Sequence, residues 1–128
     1  MPQRLLQMNY LICMGSNTEP ANHLAFARKE LLRRFPDVRF FSEEVTAPIG
    51  MRHNPASFIN QLARFSSDVQ PKEIEQQLKE IEHLFGRTPE EKAHEVVRLD
   101  LDLLMADEQV LRPKDLQRDF VQQLLKLC

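Results

Sequence analysis

From Tyr10 to Met14 every position is apolar, and the run stops at Gly15-Ser16-Asn17. A short continuous apolar run ending in turn residues reads as a strand buried on both faces. Leu24, Leu31, Leu32 and Phe35 then recur around Ala27 and Arg28, with Pro20 near the start and Pro36 just past the end. That spacing predicts a helix. Its Arg28, Lys29, Arg33 and Arg34 read as a solvated basic side. Val38 to Thr46 is rich in β-branched and aromatic residues and predicts a strand. Ala47 to Pro55, with two prolines and Gly50, predicts a loop. Phe58 to Phe65 is a second strand with Asn60 and Gln61 near its middle. Gln70-Pro71 opens a helix with proline at its first position, Ile74, Leu78, Ile81 and Phe85 mark its buried face, and Gly86 is placed to cap it. Thr88 to Val97 lacks apolar anchors at its start and is expected to be mobile. Val96 to Met105 is the clearest strand, because Leu99, Leu101, Leu103 and Met105 alternate with Arg98, Asp100 and Asp102. A turn at Asp107-Glu108, a brief strand over Gln109 to Leu111 and a last helix over Leu116 to Leu127 complete the chain.

The predicted order is strand, helix, strand, strand, helix, strand. This is the split βαβ pattern of ferredoxin-like α+β folds, βαββαβ, an antiparallel sheet with helices packed on it. No repeat, low-complexity segment or linker interrupts it, so a single domain over residues 1–128 is expected. Composition narrows the function classes. With 42% hydrophobic and 28% charged residues, the chain can bury a core and disorder is disfavoured. No apolar run reaches a membrane span, and Met1 to Met14 is too broken by polar residues to be a secretory leader. A net charge of -2 argues against a charge-driven nucleic-acid binder. Cys13 and Cys128 make neither a metal spacing nor a disulfide framework, so a cytoplasmic protein with reduced thiols is expected.

Three constellations carry candidate chemistry. In Asp100-Leu101-Asp102, residues two apart on a strand point the same way, about 7 Å apart. Two such carboxylates repel unless a cation lies between them, and hard oxygen ligands on a strand suit Mg²⁺. The bland alternative is a polar face open to solvent, which the flanking leucines disfavour. Arg98 shares that face by alternation, either neutralising the aspartates or meeting a phosphate. In Phe58-Ile-Asn60, the amide can satisfy the edge of a flat heterocycle while Phe58 offers a packing surface; a core Phe and a satisfied Asn is the alternative. Thr46-Ala-Pro-Ile-Gly50 is a rigid turn whose backbone groups can pair with such an edge, or simply a loop. Rossmann, P-loop and serine-hydrolase signatures are absent, and the four histidines lack zinc spacing.

Taken in order, Tyr10-Leu-Ile-Cys-Met-Gly-Ser-Asn17, Thr46-Ala-Pro-Ile-Gly50, Phe58-Ile-Asn60, Ile81-Glu-His-Leu-Phe-Gly-Arg87 and Arg98-Leu-Asp-Leu-Asp-Leu-Leu104 resemble the 6-hydroxymethyl-7,8-dihydropterin pyrophosphokinase family. The resemblance spans about residues 10–120. It implies a ferredoxin-like fold and Mg²⁺-dependent transfer of pyrophosphate from ATP to the pterin hydroxymethyl group in folate biosynthesis, with ATP and the pterin as small-molecule partners and neither nucleic acid nor membrane involved. By the same resemblance, Asp100 and Asp102 would hold two Mg²⁺ ions, with Arg87 as a catalytic cation; Arg98 is expected to join them from the strand face it shares with the aspartates, although it falls two residues before Asp100 where the family's arginine falls three, on the other face. Asn60 would bond the pterin, Thr46, Ala47 and Ile49 would give it backbone contacts, and Phe58 and Phe120 would flank its ring. Glu82, Arg87 and Arg118 would meet the nucleotide.

The chain departs from that family on the nucleotide side. The family's W-G-P-R loop is replaced by Ala93-His-Glu-Val-Val-Arg98, no tryptophan occurs, Glu90 and Glu91 stand in a loop that is normally basic, and Pro113-Lys114-Asp115 replaces the P-H-x segment. Two further readings follow: a catalytically weak pterin- or nucleotide-binding module of the same fold, and a ferredoxin-like interaction domain.

Overall fold

A computed structural model of the chain describes residues 7–47, 54–86 and 88–125. It contains β1 (Met8–Ser16), α1 (Pro20–Arg34), β2 (Arg39–Thr46), β3 (Phe58–Ser67), α2 (Pro71–His83), α3 (Pro89–Ala93), β4 (Asp100–Ala106), the two-residue β5 (Gln109–Val110), α4 (Pro113–Leu116) and α5 (Asp119–Leu125). The strands form one antiparallel sheet in the order β2-β3-β1-β4-β5. With α1 and α2 as crossovers, this is the ferredoxin-like α+β fold.

Period two sorts the sheet residues between its faces. Tyr10, Ile12 and Met14 of β1, Ala63 and Phe65 of β3, and Leu101 and Leu103 of β4 join one cluster with Leu24, Ala27 and Leu31 of α1 and Ile74, Leu78 and Ile81 of α2. Phe35 stacks on Phe65 with ring centroids 4.0 Å apart. Prolines open both helices and hold the backbone in helical φ where no donor is lost. Beyond α2 the chain turns at Gly86, whose φ of 70° is left-handed, a region glycine enters without the Cβ penalty. The opposite face carries a smaller cluster, Leu11, Leu62, Leu104 and Val121, with Phe41, Cys13 and Leu116 against it.

Two expectations, the last helix and the start of β4, are corrected, and the segment before β4 gains detail. The last helix is two short ones, because Leu116 and Val121 both cover the second face; a continuous helix would set residues five apart about 140° apart around its axis. The stretch Thr88 to Val97, expected to be mobile, carries secondary structure, with no residue of its helix buried. It forms α3, with Thr88 and Glu91 capping each other reciprocally. Its end is fastened by Asn17, which donates to the Glu95 carbonyl and accepts from the Val97 amide. β4 consequently starts at Asp100 rather than Val96, since the Val97 backbone is already taken by Asn17.

Candidate active site

Three neighbouring strands supply the site. Gly15 of β1 pairs with Asn60 of β3 on one side and Asp100 of β4 on the other; two residues earlier, Cys13 lies between Leu62 and Asp102. All these side chains lie on the face opposite α1 and α2. Two interstrand steps, roughly 10 Å, separate the asparagine strand from the aspartate strand. A cavity of about 390 Å³ opens there. Cys13, Gly15 and Leu104 line it from the sheet, Phe58, Asn60 and Ala47 from one side, Asp100 and Asp102 from the other, and Lys114, Asp115, Arg118 and Val121 from α4, α5 and their junction.

Asn60 is buried and tightly held. Its Nδ2 donates to Thr46 Oγ1 at 2.6 Å. Its Oδ1 lies so close to β1 that a Cβ on residue 15 would come within 2.9 Å of it. Glycine at that position therefore makes room for the asparagine. Arg118 Nη2 also donates to Thr46 Oγ1, at 3.4 Å, so the threonine side chain joins two walls of the cavity.

The aspartate pair is electrostatically loaded. Burial, then the charge of Asp100 and a hydrogen bond to it, push the Asp102 carboxyl up to about 7, against the pull of Arg112 and Lys79. Arg112 Nη1 stands 3.7 Å from Asp102 Oδ1. Cys13 is pushed up to about 12, first by burial and then by Asp102. It is a neutral thiol at physiological pH and part of the cavity wall rather than a nucleophile. Among the described residues no group of three or more His, Cys, Asp or Glu side chains converges as a metal cage. Two carboxylates with open space beside them match Mg²⁺, which keeps most of its shell as water and phosphate oxygen.

Other residues expected at the site lie elsewhere. Glu82 accepts the Leu101 backbone N–H at 2.7 Å and Lys79 Nζ at 3.0 Å. It fixes the peptide between the two aspartates to α2, and with Asp100 it borders a separate cavity of about 360 Å³. Arg98 donates to Glu91 Oε2 at 2.7 Å and to the Phe85 carbonyl at 2.6 Å. It precedes the first residue of β4, so strand alternation does not carry its side chain to the aspartates as expected. Arg87 and Ile49 lie outside the described residues, as does the side chain of Phe120, the second residue of α5.

The sequence reading missed several lining residues. Cys13 was reachable, since it stands two positions before Gly15 on the same strand. Lys114 and Asp115 enter the sequence reading only as the replacement of the P-H-x segment, and nothing local to that segment tells that they line the same cavity as Asn60. On the other side of Asp102, a groove of about 640 Å³ runs between α2 and β4, bordered by Lys72, Lys79, His83, Leu103, Leu111 and Arg112. Asp102 lines both spaces.

An antiparallel ferredoxin-like sheet, covered by helices on one face and bearing a carboxylate-lined pocket on the other, is the class these features define. The family model for 7,8-dihydro-6-hydroxymethylpterin-pyrophosphokinase matches residues 11–127, nearly the whole chain, and the chain belongs to that family. At family level this is an ATP-dependent pterin pyrophosphokinase of folate biosynthesis, a family that generally uses Mg²⁺. No curated protein matches the chain significantly. Among the described residues, no helix is long and apolar enough to cross a membrane.

Proposed function

We propose that this chain, as a single cytoplasmic domain over residues 1–128, transfers pyrophosphate from ATP to the hydroxymethyl group of 6-hydroxymethyl-7,8-dihydropterin and releases AMP. The observation that supports the reading is the row Asn60, Gly15, Asp100, by which a buried side-chain amide and a carboxylate pair border one cavity.

In this reading Asn60 bonds the amide edge of the pterin, with Thr46 orienting it, while Phe58 and Ala47 line the ring's berth and Phe120 and Ile49 complete it. The triphosphate enters by the groove between α2 and β4, where Lys79 and Arg112 face Asp102 and offset phosphate charge. Arg118 and Arg87 are assigned to phosphate. Glu82 acts on the nucleotide side by anchoring the aspartate strand. Asp100 and Asp102 would hold Mg²⁺, two ions by family precedent, and bound Mg²⁺ neutralises phosphate charge and orients the β-phosphorus. A bond forms from the hydroxymethyl oxygen to that phosphorus, the hydroxyl proton passing to water, as the phosphorus's bond to the bridging oxygen of the α-phosphate breaks, and AMP leaves.

The test is AMP release from ATP and Mg²⁺ with and without the pterin. Release that requires all three supports the reading. One observation favours a binding module of low turnover: Arg98, one of the two expected catalytic cations, is engaged by Glu91 and the Phe85 carbonyl. Pterin binding by calorimetry without AMP at high enzyme selects that module, and binding of neither ligand selects an interaction domain.

A further inference from the structure

We propose that Gln61 is a positioning residue for pterin recognition: it clamps a bulge in β2 that turns Thr46 onto the cavity face. The proposal rests on the pterin reading above.

The pairing of β2 with β3 carries the argument. Arg39 and Phe40 oppose Arg64 and Ala63, whereas Glu43, Glu44, Val45 and Thr46 oppose Gln61, Asn60, Ile59 and Phe58. Phe41 and Ser42 therefore stand together against Leu62, which is one extra residue in β2. Without that residue's break in register, Val45 would oppose Phe58 and Thr46 would fall on the helix-covered face. A slip of one residue exchanges every side chain between faces. The bulge is thus what brings the Thr46 hydroxyl to Asn60 Nδ2.

Gln61 spans this irregularity. Its side chain lies on the helix side and is only 7% exposed. Nε2 donates to the Phe41 carbonyl at 2.7 Å. Oε1 accepts from Arg28 Nη1 at 2.9 Å, and the same Nη1 reaches Glu43 Oε2 at 3.2 Å. The chain of contacts from Phe41 through Gln61 and Arg28 to Glu43 bridges the two ends of the bulge. An amide is the side chain that both donates to the carbonyl and accepts from the guanidinium. Methionine cannot donate and accepts only weakly through sulfur, and a glutamate oxygen would oppose the carbonyl. Gln61 touches nothing in the cavity. It acts through the register of β2 on the hydroxyl that orients Asn60.

The test compares wild type, Gln61→Met, deletion of Ser42, and the two combined. Removing Ser42 takes out the extra residue and leaves Thr46 opposite Phe58 by ordinary pairing, so the clamp is no longer needed. Gln61→Met should raise the pterin KM roughly tenfold, the scale of one lost buried hydrogen bond, with the ATP KM unchanged. Cross-strand amide NOEs should show Thr46 losing its Phe58 partner. In the Ser42-deleted background Gln61→Met should have no effect on either measure. An equal penalty in both backgrounds, or unchanged NOEs in Gln61→Met, overturns the proposal. If Gln61→Met does not fold, the combined variant decides: folding with Thr46 opposite Phe58 supports the clamp, and failure to fold overturns it. If wild type does not bind pterin, the functional reading fails, and the NOEs alone still decide the clamp.

Discussion

Asp102→Asn separates the cost of the aspartate pair from its use. Asparagine keeps the shape of the protonated acid and its ability to donate to Asp100, but it does not titrate. In the wild-type protein without metal, the Asp102 carboxyl moves from 3.8 to about 7 on folding. The folded state therefore holds this proton more tightly than the unfolded chain does. The resulting stabilisation is complete below the unfolded value and is lost as pH rises to the folded one. Each pH unit crossed between the two values costs about 1.4 kcal/mol. By about pH 5 the wild type has lost roughly 1–2 kcal/mol, and by about pH 8 roughly 4 kcal/mol. Asp102→Asn escapes both losses. Its stability relative to wild type should grow by roughly 2–3 kcal/mol between those pH values, on the order of 10 °C in Tm. Thermal melts followed by circular dichroism in chelator check this. Parallel melting curves for the two proteins at both pH values would refute the claim that burial and Asp100 hold the carboxyl high. The same variant should lose Mg²⁺-dependent turnover while remaining folded, so a stabilised but inactive protein is the expected phenotype.

Mg²⁺ binding should release a proton below about pH 7 and none well above it, because a dication at Asp100 and Asp102 competes with the Asp102 proton; calorimetry in buffers of different ionisation enthalpy measures this. Gly15→Ala should weaken pterin binding roughly tenfold by displacing Asn60 Oδ1, while binding of a non-hydrolysable ATP analogue stays unchanged. Leu78→Ala, at a fully buried α2 position packed on the sheet, should cost about 2–5 kcal/mol in urea unfolding; a loss under about 1 kcal/mol would contradict its place in the core.

Much of this architecture is legible from periodicity. Tyr10 to Met14, the leucines of β4 and the Ile74, Leu78, Ile81 stripe place the sheet core and α2 before any coordinates, because alternation and helical spacing are set by backbone geometry. The proline and glycine boundaries of α1 and α2 follow from the same local chemistry. What escapes is set by longer-range competition. Thr88-Pro-Glu-Glu91 is a capping-box pattern that a polar reading passes over. The departure of Arg98 from the aspartate face depends on Asn17, some eighty positions earlier in sequence, holding the chain just before the strand. The bulge in β2 has no signature in Phe40 to Glu43 alone; it appears only when β3 is laid beside it. The break between α4 and α5 likewise answers to a surface formed by β1, β3 and β4.

The two faces of the sheet also differ in how much holds them. One is roofed by two helices of 15 and 13 residues, the other by short segments resting largely on Leu116 and Val121. The structural load is carried on the side away from the ligands. Detaching the tail over the pocket should then need far less energy than global unfolding, leaving the strands beneath undisturbed. With such a division, any opening above the pocket would fall on the lightly fastened side while the foundation stays fixed.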